Sequence, residues 1–214
     1  MTFATAKRFS IAEYHRLAEL GFFEFDNRFE LIRGEIIKKA KKTTFHSACN
    51  SLLLGELCLI MARSACVRGQ EPIILPPDSE PEPDVVIARN RFDDYVSSHP
   101  LIADILLVIE VSDSTLDYDG RTKLSLYAES GIADYWIFNL VDIQLEMHSE
   151  PYQKQRGGFD YRVKRVVLPN EFVVILRYFR RRWVSRKDCK SPVNQISGRA
   201  RSPSHNFFSC GMGF

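Results

Sequence analysis

Hydrophobic side chains recur every three or four residues in three segments of the chain. This spacing places them on one face of a helix, so the pattern predicts helices over residues 9–21, 46–63 and 119–130. Ser10 stands where the first helix needs an N-cap, and Gly131 stands where the third helix would end. Each predicted helix therefore has an apolar face that must pack against another element.

Shorter apolar runs between these segments predict strands. The predicted strands span residues 29–38, 66–75, 84–89, 105–111, 134–140, 144–149 and 159–168. The first would bend or bulge at Arg33 and Gly34, and the fourth is an almost continuous aliphatic run, as in a strand that is buried on both faces. This order of elements predicts an α/β (α+β) fold with a mixed central β-sheet flanked by helices.

Length and composition agree with a soluble globular protein built around one sizeable core. The 214 residues are 45% hydrophobic and 26% charged, which excludes collagen-like, wholly disordered and small disulfide-scaffold proteins. We expect no membrane span, because no apolar stretch approaches the roughly 18–20 residues required. We expect no signal peptide, because no apolar run follows Lys7 and Arg8. The five cysteines form no CxxC pair, so a reduced, cytoplasmic compartment is expected.

Charge divides the chain into two unequal parts. Residues 1–176 carry a net charge of −6, whereas residues 177–214 carry a net charge of +8. A strand-like pattern at 171–176 runs abruptly into this basic segment, which has no hydrophobic period. We therefore predict a folded domain over 1–176 and a basic, poorly ordered tail over 177–214. A nucleic-acid-binding arm and an altered reading frame are the alternative interpretations of the tail.

Three ionisable residues stand where they could carry chemistry. Asp84 begins a predicted strand, Glu110 interrupts the aliphatic run 105–111, and Lys123 lies on the helix that follows. Burying Glu110 is costly unless its carboxylate is paired or binds a metal. Together the three residues suit metal-assisted phosphodiester hydrolysis. The carboxylates would bind Mg²⁺, and the lysine would orient or activate the attacking water or stabilise the developing charge.

Each of these residues, taken alone, also has a plainer interpretation. Asp84 follows a proline and could be an ordinary turn aspartate. Glu110 could be satisfied by an internal arginine such as Arg121 or Arg89. Lys123 could be a solvated surface lysine.

Several motifs occur in a characteristic order. They are FELIRGEI at 29–36, His46 at the start of a helix, PDVVI at 83–87, VIEVSDST at 108–115 with Asp119, KLSLY at 123–127 and GIADYWI at 131–137. Over residues 8–176 this arrangement resembles the Uma family of restriction-endonuclease-like proteins, in the PD-(D/E)XK nuclease superfamily.

The resemblance implies specific roles within a restriction-endonuclease-like core over residues 1–176. Asp84 and Glu110 would be ligands of Mg²⁺, for which Mn²⁺ could substitute, and Lys123 would be the catalytic lysine. The reaction would be endonucleolytic hydrolysis of DNA, leaving 5′-phosphate and 3′-hydroxyl ends, and a homodimer could cut both strands. Ser112 occupies the position, two residues after Glu110, where the superfamily usually has its lysine. In this family the lysine has moved to Lys123.

Three further residues match the family pattern, namely Glu30, Glu35 and His46. Glu30 would be an additional carboxylate at the metal site, and His46 would bind phosphate or metal. The alternative interpretation is that the glutamates are strand-edge charges and that His46 merely begins a helix.

A basic cluster precedes His46 and comprises Lys38, Lys39, Lys41 and Lys42. Because the domain is acidic overall, DNA binding should come from such local positive charge. We therefore expect these lysines to contact DNA phosphates, although a solvated loop is the alternative.

The sequence as a whole predicts a cytoplasmic, Mg²⁺-dependent DNA endonuclease that has no membrane association. Two other functions stay open. A catalytically inactive protein of the nuclease fold would bind nucleic acid or a protein partner and need not bind the metal. A two-carboxylate glycosidase would act without metal and would give Lys123 no role.

Overall fold

The structure is a computed structural model, and it describes residues 5–23, 28–169 and 171. The helices are α1 (Ile11–Glu19), α2 (Thr44–Met61), α3 (Leu116–Tyr118) and α4 (Leu124–Glu129). The strands are β1 (Phe29–Ile32), β2 (Glu35–Lys38), β3 (Cys66–Gly69), β4 (Val85–Ala88), β5 (Ile105–Ser112), β6 (Asp134–Asn139), β7 (Gln144–Gln153) and β8 (Phe159–Val167). A 3₁₀ turn at Ile102–Asp104 precedes β5, and a π-helical turn at Asp119–Lys123 joins α3 to α4.

A six-stranded mixed sheet forms the centre of the molecule, in the order β3-β4-β5-β6-β7-β8. β5 and β6 are parallel, and the other neighbouring pairs are antiparallel. A parallel pair needs a crossover connection, which α3 and α4 supply here. β1 and β2 form a separate antiparallel hairpin. The predicted α+β fold with a mixed sheet between helices is therefore confirmed.

Each face of the sheet carries its own apolar core. On one face, Leu57 of α2 belongs to the same cluster as Ile109 of β5. On the other face, Tyr127 of α4 packs against Tyr135 of β6, with ring centroids 4.9 Å apart, in a cluster that includes Val108 of β5. β5 thus contributes alternate side chains to both cores, which confirms that this strand is buried on both faces.

Side-chain caps fix the starts of the two longer helices. Ser10 Oγ accepts the backbone N–H of Glu13, whose carboxylate accepts the backbone N–H of Ser10 in return, so α1 begins with a capping box. Thr43 Oγ1 accepts the backbone N–H of His46 at the start of α2. α2 therefore begins two residues earlier than the sequence pattern predicts.

α2 is long and apolar enough to count as a possible membrane span, which the sequence pattern did not predict. Its 18 residues have a mean hydropathy of 1.2, so by length and composition alone this helix could cross a membrane. The sequence pattern did not reveal this hydropathy, because Glu56 and the polar residues of the first turn interrupt the apolar run. Packing of Leu53 and Leu57 against the sheet is equally what a core helix of a globular protein shows.

The prediction of one bent strand over 29–38 is wrong, because the chain reverses there. Arg33 and Gly34 both have positive φ, 48° and 75°, and β1 pairs with β2 from Ile32 and Glu35 outward. Two consecutive left-handed residues form the tight turn that matches the natural twist of a hairpin.

Two other predicted elements are shorter or more irregular than expected. β3 ends at Gly69, because Gln70 has a φ of 58° and leaves the sheet. The predicted helix over 119–130 consists of the π-helical turn followed by α4. The predicted strand at 171–176, apart from Glu171, and the predicted tail at 177–214 lie outside the described residues.

A core substitution in β5 tests this packing. Leu107 is 0% exposed, so Leu107→Ala should lower the free energy of unfolding by about 2–5 kcal/mol through lost burial and an unfilled cavity. The matched control is Leu20→Ala at the end of α1, where the side chain is 66% exposed and the change should stay within about 0.5 kcal/mol. Urea unfolding measures both. Equal effects of the two substitutions would contradict the assignment of β5 to the core.

Candidate active site

Two carboxylates meet at the end of the sheet where β4 begins and β5 ends. The antiparallel register pairs Val85 with Ile109, so Asp84 and Glu110 stand next to each other on neighbouring strands. The backbone N–H of Asp84 donates to Glu110 Oε2 over 3.3 Å. Both side chains are buried; Glu110 lies within β5, and Asp84 stands immediately before the first residue of β4. The sheet register therefore creates the carboxylate pair that the sequence predicts.

A buried lysine joins this pair from the helical crossover. Lys123 Nζ lies 2.8 Å from Glu110 Oε1 and 3.3 Å from Glu30 Oε2. The side chains of Lys123, Glu110 and Glu30 are only 4%, 4% and 2% exposed. The structure thus brings together three residues that are far apart in sequence, and Lys123 is not the solvated surface lysine of the alternative interpretation.

The arginines that could have neutralised Glu110 lie elsewhere. Arg121 Nε is 2.7 Å from the exposed carboxylate of Asp117, and Arg89 Nε donates to the backbone carbonyl of Ala103. Among the described cations, Lys123 therefore compensates Glu110 by direct contact, and Lys39 adds to the effect from further away.

Tyr127 is a member of this cluster that the sequence analysis missed. Its hydroxyl donates to Glu110 Oε1 over 2.9 Å, on the same oxygen that accepts from Lys123. The two residues are four positions apart on a helical segment, so both reach the same side of it. That spacing was the available signal, but an aromatic residue on an apolar helix face is more often a core residue.

Asp84 is held by hydrogen bonds from three directions. Oδ2 accepts from His46 Nε2 and from the backbone N–H of Val111, both over 3.0 Å, and Oδ1 accepts from the Gln70 amide over 3.2 Å. Burial raises the pKa of Asp84, but the His46 interaction and the other donors outweigh it and lower this pKa to about 2. The hydrogen bond with Asp84 raises the pKa of His46 in turn. His46 therefore contacts a carboxylate, and no sequence signal indicated Gln70.

The charges of Glu110 and Lys123 depend on each other. Full burial raises the pKa of Glu110 to about 7, against the opposing effect of Lys123. Burial alone would lower the pKa of Lys123, but Glu110, Glu30 and Asp119 more than offset it and raise that pKa well above its usual range. The lysine is consequently a fixed positive charge at neutral pH, whereas Glu110 titrates near neutrality.

The π-helical turn contributes a further buried carboxylate, Asp119. Its Oδ2 accepts from Ser112 Oγ over 2.8 Å and from the Thr115 hydroxyl over 2.6 Å, while burial raises its pKa. Ser112, two residues after Glu110, therefore anchors the turn that carries Lys123. Such single π turns within helices often mark functional sites.

The carboxylates and the lysine line a cleft of about 280 Å³. The four predicted lysines Lys38, Lys39, Lys41 and Lys42 also line it. Lys39 is half-buried and donates to the Glu82 carbonyl, and burial together with the nearby Lys123 lowers its pKa. Burial and neighbouring cations lower the pKa of Lys42 to about 8. The basic cluster thus borders the cleft, with Lys39 turned inward.

The structure does not bring Glu35 into this cleft. Its carboxylate lies 2.8 Å from the Arg8 guanidinium, and its side chain is 58% exposed. Glu30 and Glu35 are on opposite strands of the β1–β2 hairpin, and only Glu30 faces the site.

The donor set suits a hard cation. Asp84 and Glu110 offer adjacent carboxylate oxygens and Glu30 lies nearby, but no group of three or more histidine, cysteine or acidic side chains in the part of the chain that the structure describes is arranged to hold a metal ion. Mg²⁺ commonly uses only one or two protein carboxylates and keeps waters or substrate oxygens as its other ligands. Two adjacent carboxylates in a cleft therefore fit Mg²⁺ or Mn²⁺, and they do not fit a closed zinc site.

Comparison with known proteins agrees with this geometry. The family model described as "Uma2: Putative restriction endonuclease" matches residues 11–179. A crystal structure of a putative nuclease belonging to DUF820 from Anabaena variabilis is similar over 80% of this chain and 91% of that chain, with a TM-score of 0.60 and 17% sequence identity. Comparison with curated proteins gives no significant match. The structural likeness supports the fold, and the family match supports a nuclease-like function.

The raised pKa of Glu110 predicts a pH dependence of stability. A carboxyl group whose pKa rises from 4.5 to about 7 on folding binds its proton more tightly in the folded state. Its contribution to stability is therefore present at low pH and is lost as pH rises from about 4.5 to 7, by about 3 kcal/mol. Glu110→Gln should remove this loss, whereas Glu35→Gln should leave it unchanged. Urea unfolding in EDTA, repeated between about pH 4.5 and 7, measures the free energy of unfolding at each pH. If this free energy changed equally with pH in wild type and in Glu110→Gln, the assignment would be contradicted.

Proposed function

The chain belongs to the Uma2 family of restriction-endonuclease-like proteins, and we propose that it is a Mg²⁺-dependent endonuclease that hydrolyses DNA phosphodiester bonds. The proposal rests on one arrangement: Lys123 Nζ lies 2.8 Å from Glu110, and Glu110 accepts the backbone N–H of Asp84. Asp84 stands immediately before β4, Glu110 lies within β5 and Lys123 lies in the π-helical turn, so the fold preorganises all three. A glycosidase would leave the buried lysine without a role.

Asp84 and Glu110 would hold Mg²⁺, with Mn²⁺ as a substitute. When bound, such an ion lowers the pKa of a coordinated water and neutralises negative charge on the scissile phosphate. Four neighbouring groups would keep the two carboxylates in place. His46 and the backbone of Val111 fix Asp84, while Lys123 and Tyr127 fix Glu110.

Lys123 would act as a fixed cation at the reacting phosphate. Its pKa lies well above the usual range, so the ammonium carries its full charge at neutral pH and acts as a hydrogen-bond donor. A preorganised donor in a water-poor site stabilises charge that develops in the transition state, and it can also orient the attacking water. A general-base role would require the neutral amine, which this environment disfavours.

DNA phosphates would lie along the lysine-lined border of the cleft. Lys38 and Lys41 are exposed, and Lys42 is half-buried beside them, so their charges are available to a polyanion. Because the rest of the domain is acidic, this local charge would both attract the duplex and set its position.

Substitutions of the three central residues test the activity. Asp84→Asn, Glu110→Gln and Lys123→Met should each lower plasmid nicking in Mg²⁺ by at least about 100-fold, because each removes a metal ligand or a preorganised charge. Glu35→Gln is the control, since this carboxylate is on the same hairpin as Glu30 but outside the cleft, and it should retain wild-type nicking. EDTA should abolish the wild-type reaction.

A metal titration separates the endonuclease from a protein of the same fold that only binds nucleic acid or a protein partner. Calorimetric binding of Mn²⁺ should be present in wild type and Lys123→Met, and it should be lost in Asp84→Asn. Absence of Mn²⁺ binding in folded wild-type protein would favour the non-catalytic alternative. Undiminished nicking by Asp84→Asn would refute the assignment of this carboxylate.

The basic border of the cleft makes a separate prediction about DNA affinity. Lys42→Ala should weaken binding of a fluorescent duplex in EDTA and lower the slope of log affinity against log salt by about 0.9, which is the loss of one phosphate contact. Lys154→Ala, on the β7–β8 hairpin and paired with Asp160, is the matched control and should keep the wild-type slope. Equal slopes for all three proteins would exclude Lys42 from the DNA interface.

A further inference from the structure

The outward face of α2 is unusual for a helix on a protein surface. Phe45, Leu52 and Leu59 are 47%, 54% and 71% exposed, although the opposite face of the same helix packs on the sheet. Glu56 is the one charged side chain between the ends of this helix, and it is half-buried. A surface helix normally exposes charged residues opposite its core-facing stripe, so this face has the composition of an interface.

Large and small residues alternate along this face at heptad spacing. The outward stripe consists of Phe45, Ala48, Leu52, Gly55, Leu59 and the C-cap residue Ala62. Steps of three and four residues alternate along it, which is the pattern of the seam between two packed helices. The large members occupy one heptad position, and the small members occupy the other.

No described residue of the same chain requires a glycine at position 55. A Cβ there would meet nothing within 4 Å among the residues that the structure describes. Glycine in the middle of a helix is destabilising relative to alanine, because it loses more conformational freedom on folding. A backbone or side chain of another molecule that approaches α2 closely at this position would account for the glycine.

We propose that a second copy of this chain packs its α2 antiparallel against this stripe. A twofold axis near the middle of the helix would set Leu52 of each copy against Gly55 of the other. The same axis would set Phe45 against Ala62, and Leu59 against Ala48. Every large side chain then meets a small one, as ridges-into-grooves packing requires. This complementarity favours a second copy over a lipid surface, which would need no small residues opposite the large ones.

Charge agrees with such a pair, and the contact area limits its strength. Antiparallel helices bring each positive N-terminal end beside a negative C-terminal end, and the stripe carries no like charges to oppose this. A helix of this length is about 27 Å long and about 10 Å wide, so its footprint is roughly 300 Å² per copy. This is well below the roughly 800 Å² per partner of a standard stable interface. The dimer should therefore be weak and dependent on concentration.

The arrangement has a consequence for the cleft. His46 lies in the first turn of α2 and contacts Asp84, so the cleft lies at the N-terminal end of this helix. Antiparallel pairing would place the two clefts at opposite ends of the helix pair, separated along its axis by about the helix length, 27 Å. The proposed pairing does not rest on the proposed nuclease function, because it concerns the outward face of α2, opposite the face that packs on the sheet.

A size swap across the interface tests the pairing. Gly55→Leu should weaken self-association of the full chain at least tenfold, because two large residues then meet at the axis. Leu52→Ala combined with Gly55→Leu should return the dissociation constant to within about threefold of wild type, because a large residue again faces a small one. Sedimentation velocity up to about 1 mM protein, without DNA or metal, measures all three proteins. Circular dichroism checks that each variant is folded.

Val96→Leu serves as the control, since this residue is exposed and its neighbour Tyr95 belongs to the apolar cluster on the opposite face of the sheet from α2. Its enlargement should leave self-association unchanged. A wild-type protein that stays monomeric over the whole range would overturn the proposal, whether or not it binds vesicles of anionic lipid. A dimer that tolerates Gly55→Leu, or that the double substitution does not restore, would also overturn it, because the contact would then lie elsewhere.

Discussion

The burial of one lysine constrains the relative positions of three parts of the fold. The Lys123 ammonium is removed from water, and the cost of several kcal/mol is offset only if carboxylates lie within ion-pair distance. Glu110 and Glu30 supply them, from the central sheet and from the hairpin respectively. The hairpin, the sheet and the crossover helix must therefore meet at one point. Loss of Glu110 or Glu30 would leave the buried ammonium with one carboxylate partner instead of two, so the cluster contributes to the fold as well as being a candidate for catalysis.

The same constraint gives two neighbouring carboxyl groups opposite properties. Asp84 accepts three hydrogen bonds, which hold its pKa near 2, whereas full burial raises the pKa of Glu110 to about 7. Environments that push the pKa values of adjacent acids apart are typical of functional sites, although structural ion pairs can produce them too. Here the difference arises from chain geometry. Asp84 precedes its strand and accepts from His46 of α2, Val111 of β5 and Gln70 after β3. Glu110 lies inside a strand and, among the described residues, accepts from Lys123, Tyr127 and the backbone N–H of Asp84.

The sequence predicted the parts of the fold that depend on local pattern. The aliphatic run around Glu110 correctly indicated a strand that is buried on both faces, and the apolar spacing located α2. The reversal at Arg33 was misread as a bend, because its positive φ depends on a turn that hydrophobic alternation does not reveal. The distance between Lys123 and Glu110 was also beyond local pattern. It depends on how the crossover returns to the sheet. The position of Lys123 on the helix after Glu110 allowed the contact and the family resemblance implied it, but neither determined the distance.

α2 shows why an apolar outer face escapes pattern analysis. A helix with one apolar stripe gives a clear periodic signal, but a helix with two apolar stripes gives a nearly uniform one. Leu57 faces the core and Leu59 faces outward, so the run suggests only that the helix is apolar. Exposure in the folded chain is needed to separate the two faces. His46 extends from the same helix to Asp84, so α2 connects its apolar outer face to the carboxylate pair.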